Sequence, residues 1–136
     1  MKIAVDAMGG DYAPEEIVLG AIHAVSEYKF DVVLVGDEQK IRNVLRQYDA
    51  KESDRLSIVH ASEVIEMGEH PVQAVRKKKD ASIVVATRLV RDGQCDAVVA
   101  PGSTGAAVTA ALLGLWRIAC IERPCIATPI PSKKGI

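Results

Sequence analysis

Residues 100–106, Ala-Pro-Gly-Ser-Thr-Gly-Ala, separate an apolar run typical of a buried strand from one typical of a helix. The run before them, residues 95–100 (CDAVVA), predicts a strand, and residues 106–121 have room for about four helical turns. A strand that turns through glycines into a helix leaves backbone N–H groups unpaired at the positive end of the helix dipole. The segment therefore predicts a strand–loop–helix unit of an α/β fold.

The loop in this unit has two interpretations. Gly102 and Gly105 allow the backbone to approach a ligand closely, and Ser103 and Thr104 add short hydroxyl donors. These features favour an anion site. The alternative is a tight turn in which a loop residue caps the helix and no ligand binds. The loop taken alone does not separate the two.

The rest of the chain alternates strands and helices. Apolar runs predict strands at residues 2–6, 31–36 and 55–60. Helices are predicted to start at Pro14, after Asp37 as N-cap, over residues 71–78, after Asp80 as N-cap over residues 81–91 with Gly93 ending it, and over residues 104–118. Residues 123–131 predict a fifth strand, interrupted by prolines. This alternation predicts one doubly wound, mostly parallel sheet with helices on both faces, spanning residues 1–136.

Bulk composition agrees with this fold class. Hydrophobic residues make up 49% of the chain and aromatic residues 4%, so Val, Ile, Leu and Ala must fill the interior, as in a parallel sheet covered on both faces. The net charge of -1 argues against a nucleic-acid partner. We expect a cytoplasmic protein with reduced structural thiols, because no signal peptide, membrane span or paired cysteine spacing is recognisable. The ending, residues 132–136, carries no capping or packing signal and indicates a chain that is cut short.

A second glycine loop follows the first predicted strand and contains Asp6, Gly9 and Gly10. Ligands of parallel α/β sheets bind outside the carboxyl ends of strands, where both loops are expected. Neither loop has the spacing of a Walker A or dinucleotide-binding motif, so nucleotide binding is not indicated. Asp6 and Asp11 alone do not make a metal site, and we predict neither a metal nor another cofactor.

A basic run lies between the two loops in sequence. Arg76, Lys77 and Lys79 fit either a solvated helix end or a cationic wall for phosphate or an acidic partner.

Five segments in this order resemble a known family. They are residues 5–11 (VDAMGGD), Met67 with Pro71, residues 76–82, residues 95–106 and residues 122–124 (ERP). Together they resemble the N-terminal part of the PlsX family, the phosphate acyltransferases of bacterial phospholipid synthesis. The resemblance covers essentially the whole chain, which corresponds to less than half of a typical member, so the C-terminal part of that enzyme is expected to be absent from this chain.

The resemblance implies transfer of a fatty acyl group from acyl-acyl carrier protein to inorganic phosphate. The product is an acyl phosphate, which a glycerol-3-phosphate acyltransferase then uses. It also implies a fold related to phosphotransacetylases and isopropylmalate-type dehydrogenases, a homodimer, and a cytoplasmic protein with peripheral membrane association. Two alternatives stay open: a phosphotransacetylase-like acyltransferase that uses coenzyme A, and a non-catalytic phosphate-binding or dimerising fragment.

This chemistry needs no enzyme nucleophile, because a phosphate oxygen can attack a thioester directly. It needs an anion site and donors for the oxyanion that forms. Cleft-lining roles are accordingly predicted for two sets of residues: catalytic, Ser103, Thr104 and Lys77; phosphate- or substrate-binding, Asp6, Gly9, Gly10, Arg76, Lys79, Gly102 and Gly105. One departure concerns residues 100–106, which family members usually have as Ser-Ala-Gly-Asn-Thr-Gly-Ala. Ser103 therefore stands where the family has an Asn, and Pro101 stiffens the loop.

Overall fold

The computed structural model describes residues 1–131, so the ending at residues 132–136 lies outside the described residues. Within this range the elements follow one another in the order β1 (Lys2–Asp6), α1 (Glu15–Glu27), β2 (Asp31–Gly36), α2 (Glu38–Gln47), β3 (Leu56–His60), α3 (Pro71–Lys77), α4 (Ser82–Arg91), β4 (Ala97–Val99) and α5 (Thr104–Gly114). The predicted alternation of strands and helices is confirmed.

The four strands form one sheet in the order β3-β2-β1-β4, and every pair is parallel. Lys2 aligns with Asp31 of β2, and Ile3 aligns with Ala97 of β4. Strand β1 is therefore central although it comes first in the sequence. Because parallel strands end at the same edge, the loops after β1 and β4 leave the sheet side by side.

Helices cover both faces of the sheet, as predicted. Successive residues of β2 point to opposite faces, so Val32 and Leu34 belong to one core while Val33 and Val35 belong to the other. Helices α1 and α2 pack on the first face, and α4 packs on the second. A third apolar cluster joins α3, α4 and α5 and includes Val75, Ile83 and Ala106. This third cluster fixes the start of α5 against its neighbours.

Two of the predicted helix ends are confirmed. The Asp37 carboxylate caps α2 by accepting a hydrogen bond from the Lys40 amide at 3.1 Å. Gly93 follows the end of α4 with a φ of 70°, the left-handed conformation that glycine adopts readily. No helix of the described part of the chain is both long and apolar enough to cross a membrane.

Four predicted features are wrong. Residues 123–131 contain no strand, and α5 ends at Gly114 rather than at residue 118. Asp80 does not cap α4, because the N-cap of that helix is Ala81. The Asp80 carboxylate instead accepts hydrogen bonds from the amide and hydroxyl of Ser62, at 2.8 and 2.6 Å. Strand β4 is also shorter than predicted.

The three thiols differ in exposure. Cys95 is buried, as expected of a structural thiol, whereas Cys120 and Cys125 are exposed.

Candidate functional site

The two glycine loops meet at the carboxyl edge of the sheet. A Cβ atom built on Gly9 would lie 2.9 Å from the Gly102 nitrogen and 3.0 Å from its Cα, which is closer than real Cβ contacts. Gly10 has a φ of 100° and lies against the Pro101 carbonyl. Glycine is therefore required at position 9 by the close approach and at position 10 by the backbone conformation.

The second loop enters α5 through a capped N-terminus. The Ser103 hydroxyl accepts a hydrogen bond from the Ala106 amide at 3.3 Å, and the Ser103 carbonyl accepts one from Ala107 at 3.0 Å. The helix cap that the plain-turn interpretation requires is thus present. The hydroxyl group of Ser103 keeps its proton available for donation to another group.

The cap leaves a row of amides without partners. The backbone N–H groups of Gly102, Ser103, Thr104 and Gly105 have no hydrogen-bond acceptor among residues 1–131. All four residues are partly or fully accessible to solvent. Successive free amides at a helix N-terminus, where the dipole is positive, favour an anion. The loop can therefore act as an anion site while also being a capped turn.

Asp6 ends β1 beneath these loops and is 5% exposed. Burial raises the pKa of its carboxyl group above the usual value of 3.8, and hydrogen bonds from Ser82 and from the backbone of Met8 and Gly9 act in the opposite direction. Asp11, by contrast, is exposed. Among the described residues, no three His, Cys, Asp or Glu side chains are grouped as a metal site requires.

The predicted cations follow an element that begins beside the second glycine loop. Pro71 begins α3 close to Gly105, because a Cβ atom built on Gly105 would lie 2.8 Å from the Pro71 ring. Arg76 and Lys77 are in the last turn of α3, about 7.5 and 9 Å further along the helix axis at 1.5 Å per residue. The cationic wall expected around the loop stays a prediction.

Lys79 lies at the opposite end of α5 from the loop. It lines a shallow cleft with Arg88, Arg91 and the C-terminal residues Leu113 and Gly114 of α5. Lys77 lines a different surface depression, beside Glu69 and His70. Lys77 and Lys79 thus line two separate depressions, and their grouping with the glycine loops stays a prediction.

Lys78, in the middle of the basic run, has a structural role. Its ammonium group donates to the Val64 carbonyl at 2.7 Å and to the Glu69 carboxylate at 2.5 Å. The hydrogen bond from Lys78 is the main cause that lowers the pKa of Glu69. Lys78 thus ties the end of α3 to the loop that precedes it.

Two residues of this region had no predicted role in the site. Ser82, 1% exposed, is the first residue of α4 and acts to lower the pKa of Asp6. Pro71 contacts the position of Gly105 across the α3–α5 interface. No sequence signal separates Ser82 from an ordinary serine at a helix start, whereas the Pro at the first position of α3 was recognisable only as a helix start.

Comparison with known proteins gives a family match over the whole chain. The family model described as "Fatty acid synthesis protein" matches residues 1–136. Proteins named phosphate acyltransferase are similar throughout: that of Pelotomaculum thermopropionicum is 57% identical over 136 residues, that of Heliobacterium modesticaldum 56% over 135, and that of Desulfitobacterium hafniense 54% over 135. The alignments cover 99–100% of this chain but only 39–40% of those relatives. The chain therefore spans about 40% of the length of the curated relatives it matches.

Proposed function

Because the chain belongs to the fatty acid synthesis protein family, whose phosphate acyltransferases align with all of it, we propose that it carries the phosphate-binding part of a phosphate acyltransferase. In this reaction a fatty acyl group moves from the thioester of acyl-acyl carrier protein to inorganic phosphate. The product is an acyl phosphate for phospholipid synthesis, which a glycerol-3-phosphate acyltransferase consumes. No cofactor takes part.

The row of free amides at Gly102–Gly105 is the observation that carries the proposal. Phosphate is an anion with several acceptor oxygens, and successive N–H groups at a helix N-terminus bind such a group without a full positive charge. The Ser103 and Thr104 hydroxyls add donors at the same place.

Acyl transfer requires that phosphate be bound in a fixed orientation. A phosphate oxygen attacks the thioester carbonyl carbon, a new C–O bond forms, and the C–S bond breaks as the carrier thiolate leaves. The carbonyl oxygen carries a negative charge after the C–O bond has formed and before the C–S bond breaks. Fixed hydrogen-bond donors stabilise that charge more strongly than water does. Ser103 and Thr104 are the proposed donors. We propose that Arg76, Lys77 and Lys79 add positive charge for the phosphate, and that other basic residues meet the acidic carrier protein and increase its association rate.

Assembly and location form part of the same proposal. We propose a homodimer in the cytoplasm, associated peripherally with the membrane where its product is used. The support for self-association is an exposed apolar surface: among residues 1–131, Leu113, Trp116, Ile118, Ile126 and Ile130 are all exposed.

The decisive experiment measures acyl phosphate formation with two donors. The chain is incubated with phosphate and either acyl-acyl carrier protein or acyl-coenzyme A, and acyl phosphate is trapped with hydroxylamine; the Pelotomaculum thermopropionicum relative is assayed in parallel. Amide NMR shifts of residues 102–105 are followed during phosphate titration of the chain.

Phosphate-dependent shifts at those amides, with a preference for the carrier-protein donor, are expected. Preference for acyl-coenzyme A would assign the chain to the phosphotransacetylase-like alternative. Phosphate binding without turnover would identify a non-catalytic binding fragment. Absence of any shift at residues 102–105 at millimolar phosphate would overturn the anion site.

A further inference from the structure

Asp6 is a buried carboxylate with no cationic partner among residues 1–131. Aspartate is rarely buried unless it is paired or well supplied with hydrogen bonds, because losing water disfavours the charged form. The hydrogen bond that it accepts within residues 1–131 comes from a backbone amide, which is a neutral donor.

The first donors belong to the loop after β1. Asp6 Oδ1 accepts a hydrogen bond from the Met8 amide at 3.1 Å, and the Gly9 backbone lies close enough to lower the pKa of the carboxyl group. A carboxylate is an acceptor at both oxygens, so it can satisfy adjacent amides that an amide side chain cannot satisfy fully. These bonds fold the loop back over the end of its own strand.

A buried polar neighbour comes from α4. Ser82, the first residue of that helix, lies close enough to Asp6 to lower the pKa of the carboxyl group against the effect of burial, and it is buried like Asp6 itself. Helix α4 packs against β1 on one face of the sheet. The carboxylate thus connects the end of β1, the loop after it and the start of α4.

The connection continues into the second loop through Gly9. A Cβ atom built on Gly9 would lie 3.0 Å from Asp6 Oδ2 and 2.9 Å from the Gly102 nitrogen. The space beside the Gly9 Cα is therefore closed by the carboxylate and by the backbone of Gly102. Because packed interiors leave little slack, a change at the carboxylate alters the contact between Gly9 and Gly102.

We propose that Asp6 is a positioning residue that sets the direction of the free amides at Gly102–Gly105 by holding Gly9 against Gly102. It acts through these two glycines and does not itself touch the bound anion. The proposal rests on the proposed function only in that phosphate is taken as the ligand of those amides. It makes Asp6 a support of the anion site, whereas its sequence predicts a cleft-lining residue that binds phosphate or substrate.

The test compares Asp6→Asn with Asp11→Asn in this chain. Asp6→Asn replaces one acceptor oxygen by an NH₂ group of the same size, and Asp11→Asn makes the same chemical change at an exposed position of the same loop. Backbone amide shifts are recorded for both variants, followed by a titration with inorganic phosphate. Asp6→Ala, which removes every acceptor, is measured as the stronger variant.

We expect Asp6→Asn to shift the amides of Met8 and Gly9 and also those of Gly102–Gly105, and to raise the Kd for phosphate several-fold. Asp11→Asn should leave the second loop and the Kd unchanged. For Asp6→Ala the rise in Kd should exceed 10-fold; should that variant not fold, the two Asn variants still decide.

A purely structural role for Asp6 would lower the melting temperature while leaving the shifts at residues 102–105 and the Kd as in wild type, and that result would overturn the proposal. Failure of the proposed function is seen separately, as an absence of phosphate-induced shifts in the wild-type chain. In that case, the effect of Asp6→Asn on the amide chemical shifts of Gly102–Gly105 would still decide the role of Asp6.

Discussion

At the scale of single residues, two glycines of this chain are under opposite constraints. Gly9 is buried, with Asp6 and the backbone of Gly102 filling the place where its Cβ would be, whereas Gly20 lies inside α1 with no atom within 4 Å of that place. The same substitution to alanine therefore tests close packing at one position and helix propensity at the other.

We predict that Gly9→Ala lowers the free energy of unfolding by about 1–3 kcal/mol, because an added methyl group forces the two loops apart. Gly20→Ala should raise it by about 0.5–1 kcal/mol, because alanine is the better helix former and the site is open. Urea unfolding monitored by circular dichroism measures both changes. Equal effects of the two substitutions would show that Gly9 is not confined.

Gly105 is a less informative position for a ligand test. The sequence suggests that its lack of a side chain serves ligand approach, but a Cβ atom there would meet the Pro71 ring at 2.8 Å. A larger residue at position 105 therefore disturbs the α3–α5 contact as well as any bound anion. This contact is invisible in sequence because 34 positions separate the two residues along the chain.

At the scale of elements, Asp80 connects the segment after β3 to the start of α4. Its carboxylate accepts two hydrogen bonds from Ser62, and these bonds are the main cause that lowers its pKa below the usual 3.8. Since the folded state favours the ionised form, this contribution to stability is present above pH 3.8. It is lost as the pH falls through 3.8 towards the lowered pKa of the folded state.

Ser62→Ala should therefore reduce the loss of stability on acidification, because one of the two bonds to Asp80 disappears. The measurement is the melting temperature between pH 5 and pH 3, and the wild type is expected to lose more than Ser62→Ala over that interval. Ser26→Ala, which removes a hydroxyl bonded only to the carbonyl of His23 in its own helix, is the control. Parallel curves for wild type and Ser62→Ala would contradict this account of Asp80.

Most elements were predicted correctly from sequence because each of their apolar runs packs into the hydrophobic core. Strands β1 to β3 and the starts of α2 and α5 follow directly from apolar periodicity and capping residues. The end of α5 was wrong for a physical reason: the run continues to Ile121, but Trp116 and Ile118 are each 79% exposed and have no core to pack on within residues 1–131. Helices are held mainly by tertiary packing, so the helix stops at Gly114.

The candidate site was predicted in part. Both glycine loops follow strand ends, which sequence reveals, and the strand order that brings them together follows the rules of parallel sheets. The position of Arg76, Lys77 and Lys79 was not predictable, because it depends on the direction in which a seven-residue helix leaves Pro71. The contact of Asp6 with Ser82 joins residues that no local pattern connects.

At the scale of the whole molecule, the apolar surface at the end of α5 has the largest consequence. Leu115, Trp116, Ile118 and Ile121 line a common depression with Val108 and Leu112. Contiguous apolar surface of this kind promotes association in water. We predict that the chain self-associates in the micromolar range and that Trp116→Ser with Ile118→Ser shifts it towards the monomer.

Sedimentation velocity over a concentration series measures this association. Tyr12→Ser, which removes an equally exposed aromatic residue from the loop after β1, should leave the association unchanged. A wild-type chain that stays monomeric at 100-fold different concentrations would refute the prediction, as would equal dissociation by the Tyr12 substitution.

The strand order β3-β2-β1-β4 also bears on the order in which the strands can fold. The first three strands lie within the first 60 residues, whereas the amide of Lys2 meets the Asp96 carboxylate across 94 positions of chain. Closing so long a loop is entropically costly, and a chain synthesised from its N-terminus has no β4 to pair with when β1 to β3 are already complete. We therefore expect a three-stranded intermediate during synthesis, and the anion site to be the last part of the fold to appear.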